Sequence, residues 1–301
     1  MKPEHRKPKP EWLRRRFSFK SSVTEVNDLL LDLNLHTVCQ EAHCPNQSEC
    51  FGNHTATFML LGDHCSRNCT FCAVTYGVME PPDPQEPNRV AEAVSRLDLK
   101  YVVLTSVTRD DLADGGASHF AATIKTIRSV GRNILVEVLV PDFKGSAQSL
   151  ATVVAAQPAV LNHNLETVPR LYEKVRPQAD YRRSLDVLAN AAKSGIQTKS
   201  GLMLGLGETS REIWETLNDL RRADCAYLTL GQYLAPSAEH VPVQRYVPPE
   251  EFERWGETSR AMGFQDVASG PLVRSSYRAE ELFEKDTTTD TQFLEEKERR
   301  T

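Results

Sequence analysis

The sequence predicts an α/β fold built on a parallel sheet. Three observations predict it. Short apolar runs rich in β-branched residues recur at 56–61, 101–107, 134–140, 160–164, 198–204 and 227–230. Apolar residues at helical spacing lie between them. Strand and helix therefore alternate, as crossover-connected parallel strands require. Six such units are too few for a closed eight-unit barrel, so a partial, open barrel and an open doubly wound sheet both fit.

Taken in order, residues 1–20 are basic. Lys2, Arg6, Lys7, Lys9, Arg14, Arg15, Arg16 and Lys20 face only Glu4 and Glu11, and Pro3, Pro8 and Pro10 exclude a helix. This segment reads as a solvated or wrapping arm. Val26, Leu29, Leu30 and Leu33 then repeat at helical spacing, with Thr24 as the expected cap. Residues 36–55 lose periodicity and hold His36, Cys39, His43, Cys44, Cys50 and His54, which predicts a loop built around something other than a hydrophobic core. Val90, Val94 and Leu97 mark the first helix of the alternating region. Phe120, Ile124 and Ile127 mark the next, then Leu185, Leu188 and Ala192, then Ile213, Leu217 and Leu220. The last opens on Thr209-Ser210-Arg211-Glu212, a capping-box pattern. Residues 150–156 carry a weaker helical signal, and 250–262 predict one more helix. Residues 280–301 hold eight Asp/Glu against four Lys/Arg and read as a frayed acidic tail. The chain divides into an N-terminal extension (1–55), a βα region (56–236) and a C-terminal extension (237–301).

Composition narrows the function classes. The 301 residues (33.8 kDa) are 40% hydrophobic and 26% charged, enough to bury a core. No apolar run approaches the roughly 18 residues of a membrane span. A net charge of -5 argues against general nucleic-acid binding. The basic start has no apolar stretch of roughly 7–15 residues, so a secretory signal is not expected. Six of the seven cysteines fall between Cys39 and Cys72. An odd count without a signal segment predicts a reducing, cytoplasmic compartment and metal or redox chemistry instead of disulfides.

Cys65-Ser66-Arg67-Asn68-Cys69-Thr70-Phe71-Cys72 has the spacing C-x3-C-x2-C and directly follows the first strand, at the end where α/β barrels place their chemistry. Three thiolates on a [4Fe–4S] cube leave one iron open to a substrate or cofactor. A mononuclear zinc site completed by His64 is the alternative. Upstream, Cys39, Cys44 and Cys50 follow C-x4-C-x5-C, matching neither a zinc-finger nor a disulfide pattern. Two sets of three predict two clusters, each with one coordination position not filled by cysteine. Cys225 lies in an apolar stretch and reads as a buried structural thiol. Gly205-Leu206-Gly207 lacks the third glycine of a dinucleotide fingerprint, because Ser210 stands there.

The C-x3-C-x2-C motif, with Phe71 before its last cysteine, resembles that of the radical S-adenosylmethionine (SAM) enzymes. In that superfamily the open iron chelates SAM, and the cluster donates the electron that cleaves it to a 5′-deoxyadenosyl radical. An unactivated C–H bond has no acidic proton, so chemistry of this kind needs a cofactor. The whole constellation is similar to the lipoyl synthase family. It comprises both cysteine motifs, Arg274-Ser275-Ser276-Tyr277, Lys9-Pro10-Glu11-Trp12-Leu13, Glu41-Ala42-His43-Cys44-Pro45-Asn46, Asn162-His163-Asn164-Leu165-Glu166-Thr167, and the segments 105–112 and 199–208. The likeness spans roughly residues 9–280.

That resemblance implies a partial (β/α)6 TIM-like barrel with extensions at both ends. It implies two [4Fe–4S] clusters and SAM as cofactors. Cys65, Cys69 and Cys72 would hold the SAM-binding cluster. Cys39, Cys44 and Cys50, with Ser276 as fourth ligand, would hold an auxiliary cluster that donates sulfur. Gly115, Gly116, Asn164 and Glu166 are the expected SAM contacts, and Arg274 is expected to hold the substrate or the cluster loop. His43, His64 and His163 are expected to support the ligands without being ligands. The implied substrate is an octanoyl chain on a lysine of a carrier protein, either a glycine-cleavage H protein or a lipoyl domain of a 2-oxoacid dehydrogenase. An electron donor and a cluster-repair factor are implied partners, and nucleic acid and membrane are not. A monomer is the expected state. The sequence departs from the family at Glu280, where many members carry glycine. Three rivals remain at this level: another radical SAM sulfur-inserting enzyme, a non-catalytic iron–sulfur carrier, and a structural zinc protein.

Overall fold

The computed structural model describes residues 8–14, 21–53, 55–131 and 133–281. His54, most of the basic arm and nearly all of the acidic tail lie outside the described residues. A mixed sheet of eight strands forms the body, in the order β1-β2-β5-β6-β7-β8-β9-β10. Seven strands run parallel: β2 (Thr57–Leu60), β5 (Tyr101–Ser106), β6 (Leu135–Leu139), β7 (Val160–Asn162), β8 (Gln197–Leu204), β9 (Tyr227–Gln232) and β10 (Asp266–Gly270). The short β1 (His36–Thr37) pairs antiparallel with β2 at one edge. β1 and β10 are the two free edges, so the barrel is open.

One helix or helix pair follows each of the first six parallel strands. These are α4 (Glu86–Arg96), α5 (Ala117–Val130), α6 (Ala147–Ala155), α7 (Tyr172–Val175) with α8 (Tyr181–Lys193), α9 (Ser210–Arg222) and α10 (Pro249–Ala261). The helices cover the outer face of the sheet. Val90 and Val94 of α4, Phe120, Ile124 and Ile127 of α5, and Leu217 and Leu220 of α9 are fully buried. Local chemistry fixes where helices begin. Asp180 accepts the Arg183 N–H at α8, Ser146 accepts the Ser149 N–H at α6, and Thr209 and Glu212 close the expected capping box at α9. Of the two arrangements that alternation allowed, the observed one is the partial, open barrel that the family resemblance implied.

Three differences from expectation have local causes. Helix α1 (Ser21–Asp32) starts before Thr24, because Val23 also packs on the core and lengthens the apolar stripe by a turn. The segment 36–55 is not a bare loop: it holds β1, α2 (Val38–Glu41) and α3 (Gln47–Gly52), each too short to show a period. Strand β10 adds a seventh parallel strand from the C-terminal extension. Its Asp-Val-Ala-Ser-Gly sequence carries one large apolar residue and reads as a loop until β9 pairs with it.

Inside the barrel, a buried ion pair joins β6 to β8. Lys199 Nζ lies 3.0 and 3.1 Å from the two Glu137 carboxylate oxygens. Tyr101 on β5 donates its hydroxyl to Glu137 at 2.7 Å, and Asn162 on β7 donates its amide at 3.2 Å. Four adjacent strands thus meet on one carboxylate. Removing one partner strands the other charge in the core, whereas removing both does not. Lys199→Met is therefore expected to lower stability by about 3–5 kcal/mol, with Lys199→Met/Glu137→Leu losing clearly less. Denaturant midpoints of the three proteins check this, and equal losses in single and double variants would refute it.

Candidate functional site

The chain leaves β2 through Leu61, which has a left-handed backbone (φ 70). A residue with a Cβ adopts this at a cost of about 1–3 kcal/mol, so the surroundings must enforce it. The Leu61 N–H donates to Glu86 Oε2 at 3.0 Å, and its carbonyl accepts from Arg109 Nη1 at 3.4 Å. Glu86 is buried and also bonded to His119 Nε2 at 2.5 Å. The Leu61 side chain presses on Gly116, where a Cβ would collide with it. Gly62 (φ 91) completes the turn that throws the chain outward into the second cysteine motif.

Two short parallel strands, β3 (His64–Cys65) and β4 (Thr75–Tyr76), close the base of that cysteine loop. Its sides are laced to three neighbouring loops. Cys65 Sγ accepts the N–H groups of Arg67 at 3.4 Å and Thr108 at 3.3 Å. Ser66 donates its N–H and its hydroxyl to the Thr108 carbonyl, and its oxygen accepts the Asp110 N–H. Thr70 donates its N–H to the Val175 carbonyl and its hydroxyl to the Lys174 carbonyl, and its own carbonyl accepts the Val241 N–H. His240 donates Nε2–H to the Cys72 carbonyl at 3.0 Å while its Nδ1 accepts from Ser237.

The first cysteine motif is held from the other end of the chain. Thr37 caps α2, which carries Cys39, and the Cys44 N–H donates to the Cys39 carbonyl. Asn46, buried between Cys44 and Cys50, donates to the Leu272 carbonyl at 2.7 Å. Glu49 accepts the Tyr277 hydroxyl at 2.7 Å and Arg278 at 3.3 Å. Gly231 of β9 lets this C-terminal segment pass, because a Cβ there would strike the Val273 carbonyl.

Both motifs open onto one cavity of about 510 Å³ at the C-terminal end of the parallel strands. Cys39, Cys44, Cys65, Cys69, Cys72 and Ser276 line it, and Cys50 does not. Asn164, Glu166 and Arg274 line it as expected. Gly115 and Gly116 are not in its wall; they have positive φ and lie against Phe143 and Leu61. Lys9, from the start of the described chain, reaches the cavity as well. The expected structural thiol Cys225 is fully buried beneath β9 and donates to the Tyr227 carbonyl.

The donor chemistry suits iron–sulfur clusters. None of the seven cysteines is in a disulfide. Burial pushes the Cys39 thiol up to about 11 and the Cys72 thiol up to about 12, and it raises Cys69 as well. Thiols in such surroundings ionise when a metal compensates them. Among the described residues no three His, Cys, Asp or Glu side chains converge to hold a single metal ion. A cube takes one thiolate per iron and does not ask them to converge. His64 is turned to Asp63, donating Nδ1–H at 2.6 Å, and does not line the cavity. Ser276 has no hydrogen bond among the described residues, whereas its neighbour Ser275 accepts from Asn164 Nδ2 at 2.5 Å.

Three cavity residues were not singled out as ligand contacts in the sequence. Arg176 donates to the carbonyls of Asn164 (2.8 Å) and Leu165 (3.1 Å) and lies beside the Glu166 carboxylate, which burial lifts above its ordinary value and Arg176 pulls back. His163 donates Nδ1–H to the Val140 carbonyl at 2.8 Å, leaving Nε2 as a buried acceptor with no partner. Burial pulls its pKa down to about 4, so the ring is neutral at pH 7. Arg67, inside the cysteine loop, is locked in a carboxylate network. Asn164 Oδ1 is a second buried acceptor without a partner. A ligand with hydroxyl or ammonium groups would satisfy both acceptors.

Residues 59–220 match the sequence profile of the Radical SAM superfamily. The chain is 52% identical over 281 residues to a lipoyl synthase of Alkaliphilus metalliredigens, covering 93% of this chain and 97% of that one. It is 56% identical over 275 residues to a lipoyl synthase of Caldicellulosiruptor saccharolyticus, covering 91% and 96%. The chain belongs to the lipoyl synthase family. As a lipoyl synthase relative it is a radical SAM enzyme, and the reading as a non-catalytic carrier falls. Solved structures agree on the fold alone. Methylornithine synthase (PylB) superposes with a TM-score of 0.54 at 14% identity over 82% of this chain and 77% of that one. HydG, a maturase of the [FeFe]-hydrogenase, gives 0.56 at 15% identity over 83% and 62%.

Replacing Cys39, Cys44 and Cys50 together by alanine is expected to remove about half of the iron bound after anaerobic reconstitution. Replacing Cys65, Cys69 and Cys72 should remove the other half. Ser276→Ala should alter the Mössbauer spectrum of the cluster left by the second substitution, and Ser275→Ala should not. The reverse order would move the oxygen ligand one residue.

Proposed function

We propose that this enzyme inserts two sulfur atoms, at C6 and C8, into an octanoyl chain amide-linked to a carrier-protein lysine, giving lipoyl-lysine. The observation that carries this reading is the shared cavity. A carbon radical must be quenched where it is made, so the site that generates it and the site that supplies sulfur have to face the same chain. The cavity wall between the two cysteine sets contains Met59, Val107, Leu139, Leu202 and Met203, which suits an alkyl chain with no polar handle.

In this reading Cys65, Cys69 and Cys72 hold the SAM-binding [4Fe–4S] cluster, and Cys39, Cys44, Cys50 and Ser276 hold the auxiliary one. When bound, the first cluster supplies the electron that cleaves SAM, and the second supplies the sulfur. The chain's own residues bind and orient. Asn164 and Glu166 take the polar groups of SAM, and Gly115 and Gly116 act indirectly, against Phe143 and Leu61. Arg274 brings a cation beside Cys44 and Glu166; the one hydrogen bond of its side chain among the described residues goes to the Val273 carbonyl. Ser276 would give the second cluster an oxygen ligand where iron prefers thiolate, the most easily released of its four protein ligands.

The same proposal places the protein in the reducing cytoplasm, as a monomer. Its partners are the H protein or a lipoyl domain as substrate, an electron donor, and a factor that rebuilds the auxiliary cluster. Among the described residues no helix is long and apolar enough to cross a membrane.

Reconstituted protein, reduced anaerobically with SAM and an octanoyl-lysine peptide, is expected to yield a peptide with two added sulfurs and 5′-deoxyadenosine by mass spectrometry. Deoxyadenosine with unchanged peptide would move the substrate elsewhere. Ser276→Cys should assemble both clusters but turn over more slowly; a full rate would remove ligand release from the mechanism.

A further inference from the structure

The cysteine loop carries one charged side chain that points inward. Arg67 stands between Cys65 and Cys69, and its side chain is only 5% exposed. Its Nε and Nη2 grip both oxygens of Asp110, at 2.7 and 2.9 Å. Nη2 also donates to Asp142 Oδ1 at 2.7 Å. Asp142 lies just past the end of β6, and its side chain is fully buried. It takes two further donors: the Lys144 N–H at 3.1 Å on Oδ1, and Arg183 Nε from the first turn of α8 at 2.7 Å on Oδ2. Two guanidiniums and two carboxylates therefore balance. Neutralising Asp142 leaves a buried cation short of its partner and releases the inward grip on the loop.

The two carboxylates hold Arg67 differently. Asp110 moves with the loop, because Ser66 and Thr108 lace residues 65–67 to 108–110. Asp142 belongs to a different strand end and is tied to α8. It is the point at which the cysteine loop is referred to the β6 wall of the cavity, where Leu139, Val140 and Pro141 lie.

We propose that Asp142 is a positioning residue for the radical-generating cluster: through Arg67 it fixes the stance of Cys65 and Cys69 relative to the cavity. This rests on the reading of Cys65, Cys69 and Cys72 as cluster ligands. The carboxylate's three bonds are all to protein donors, so its role is indirect. The auxiliary cysteines are anchored by the C-terminal segment, and among the described residues they share no hydrogen bond with this network, which provides an internal control.

The test uses Asp142→Asn, which keeps shape and removes charge, in the reconstituted holoenzyme. Iron and sulfide content should match the wild type, and the auxiliary cluster should keep its midpoint potential. The other cluster should shift its potential, and its SAM-induced change in EPR spectrum should require roughly 10- to 100-fold more SAM. Arg67→Lys, which can reach one carboxylate but not bridge two, should fall between wild type and Arg67→Met. Wild-type potential and SAM response in Asp142→Asn and Arg67→Met would overturn the proposal. Equal loss of both clusters in all three variants would overturn it too, marking the network as part of the general fold. If Cys65→Ala/Cys69→Ala/Cys72→Ala protein keeps the SAM-responsive signal, the ligand assignment fails instead.

Discussion

The mouth of the barrel depends on the conformation of one residue. A strand that ended in ordinary extended backbone at Leu60 would carry the chain straight on. Leu61 turns it instead, and a left-handed leucine persists only when over-determined. Glu86 on the following helix takes its N–H, Arg109 beyond the next strand takes its carbonyl, and Gly116 makes room for its side chain. The elements that follow β2 and β5 thus contribute a contact each to a residue four positions before the first thiol of the C-x3-C-x2-C motif. Strain at the hinge is offset by burial and hydrogen bonds in the scaffold, so the loop emerges with little freedom at its base.

Charge is handled in two ways at this end of the molecule. Where a cation serves the scaffold it is fully neutralised, as Arg67 and Arg183 are by Asp110 and Asp142, or Lys199 by Glu137. Two other cations of the cavity wall have no carboxylate hydrogen bond among the described residues: Arg274 bonds a carbonyl, and Arg176 spends one nitrogen on carbonyls beside Glu166. A low-dielectric chamber amplifies the field of such groups. These two cations stand beside thiols of the cavity: Arg274 acts on Cys44 and Arg176 on Cys69.

The parallel strands and their helices were legible because the apolar pattern repeats locally. The exceptions are instructive. Strand β10 exists because β9 offers an unpaired edge, and its own sequence is too polar to announce it. Helices α2 and α3 are one or two turns long and leave no period. In the site, the cysteines were legible because each set recurs at a short spacing along the chain. The Arg67–Asp142 bond was not, since 75 residues separate its partners and only the stacking of β2 beside β5 and β6 brings them together. His163 and Arg176 gained meaning from an unpartnered nitrogen and a neighbouring carboxylate, properties that exist only after folding. The glycine pair 115–116 was read as a cofactor contact, and its clearest contact in the structure is with Leu61 and Phe143.

The two cysteine motifs differ in when they can be completed. The second is bounded by strands β2 and β5 and its thiols lie within eight residues of chain. The first is clasped by Leu272, Tyr277 and Arg278, more than 220 residues downstream. A nascent chain leaving the ribosome exposes Cys39, Cys44 and Cys50 early and cannot enclose them until residues 272–278 have emerged. The first motif is therefore closed only after strand β10 and the turn beyond it have been made. Its thiols stay open to oxidation or stray metals while the more than 220 intervening residues are made, and any truncation that removes the turn past β10 leaves them so.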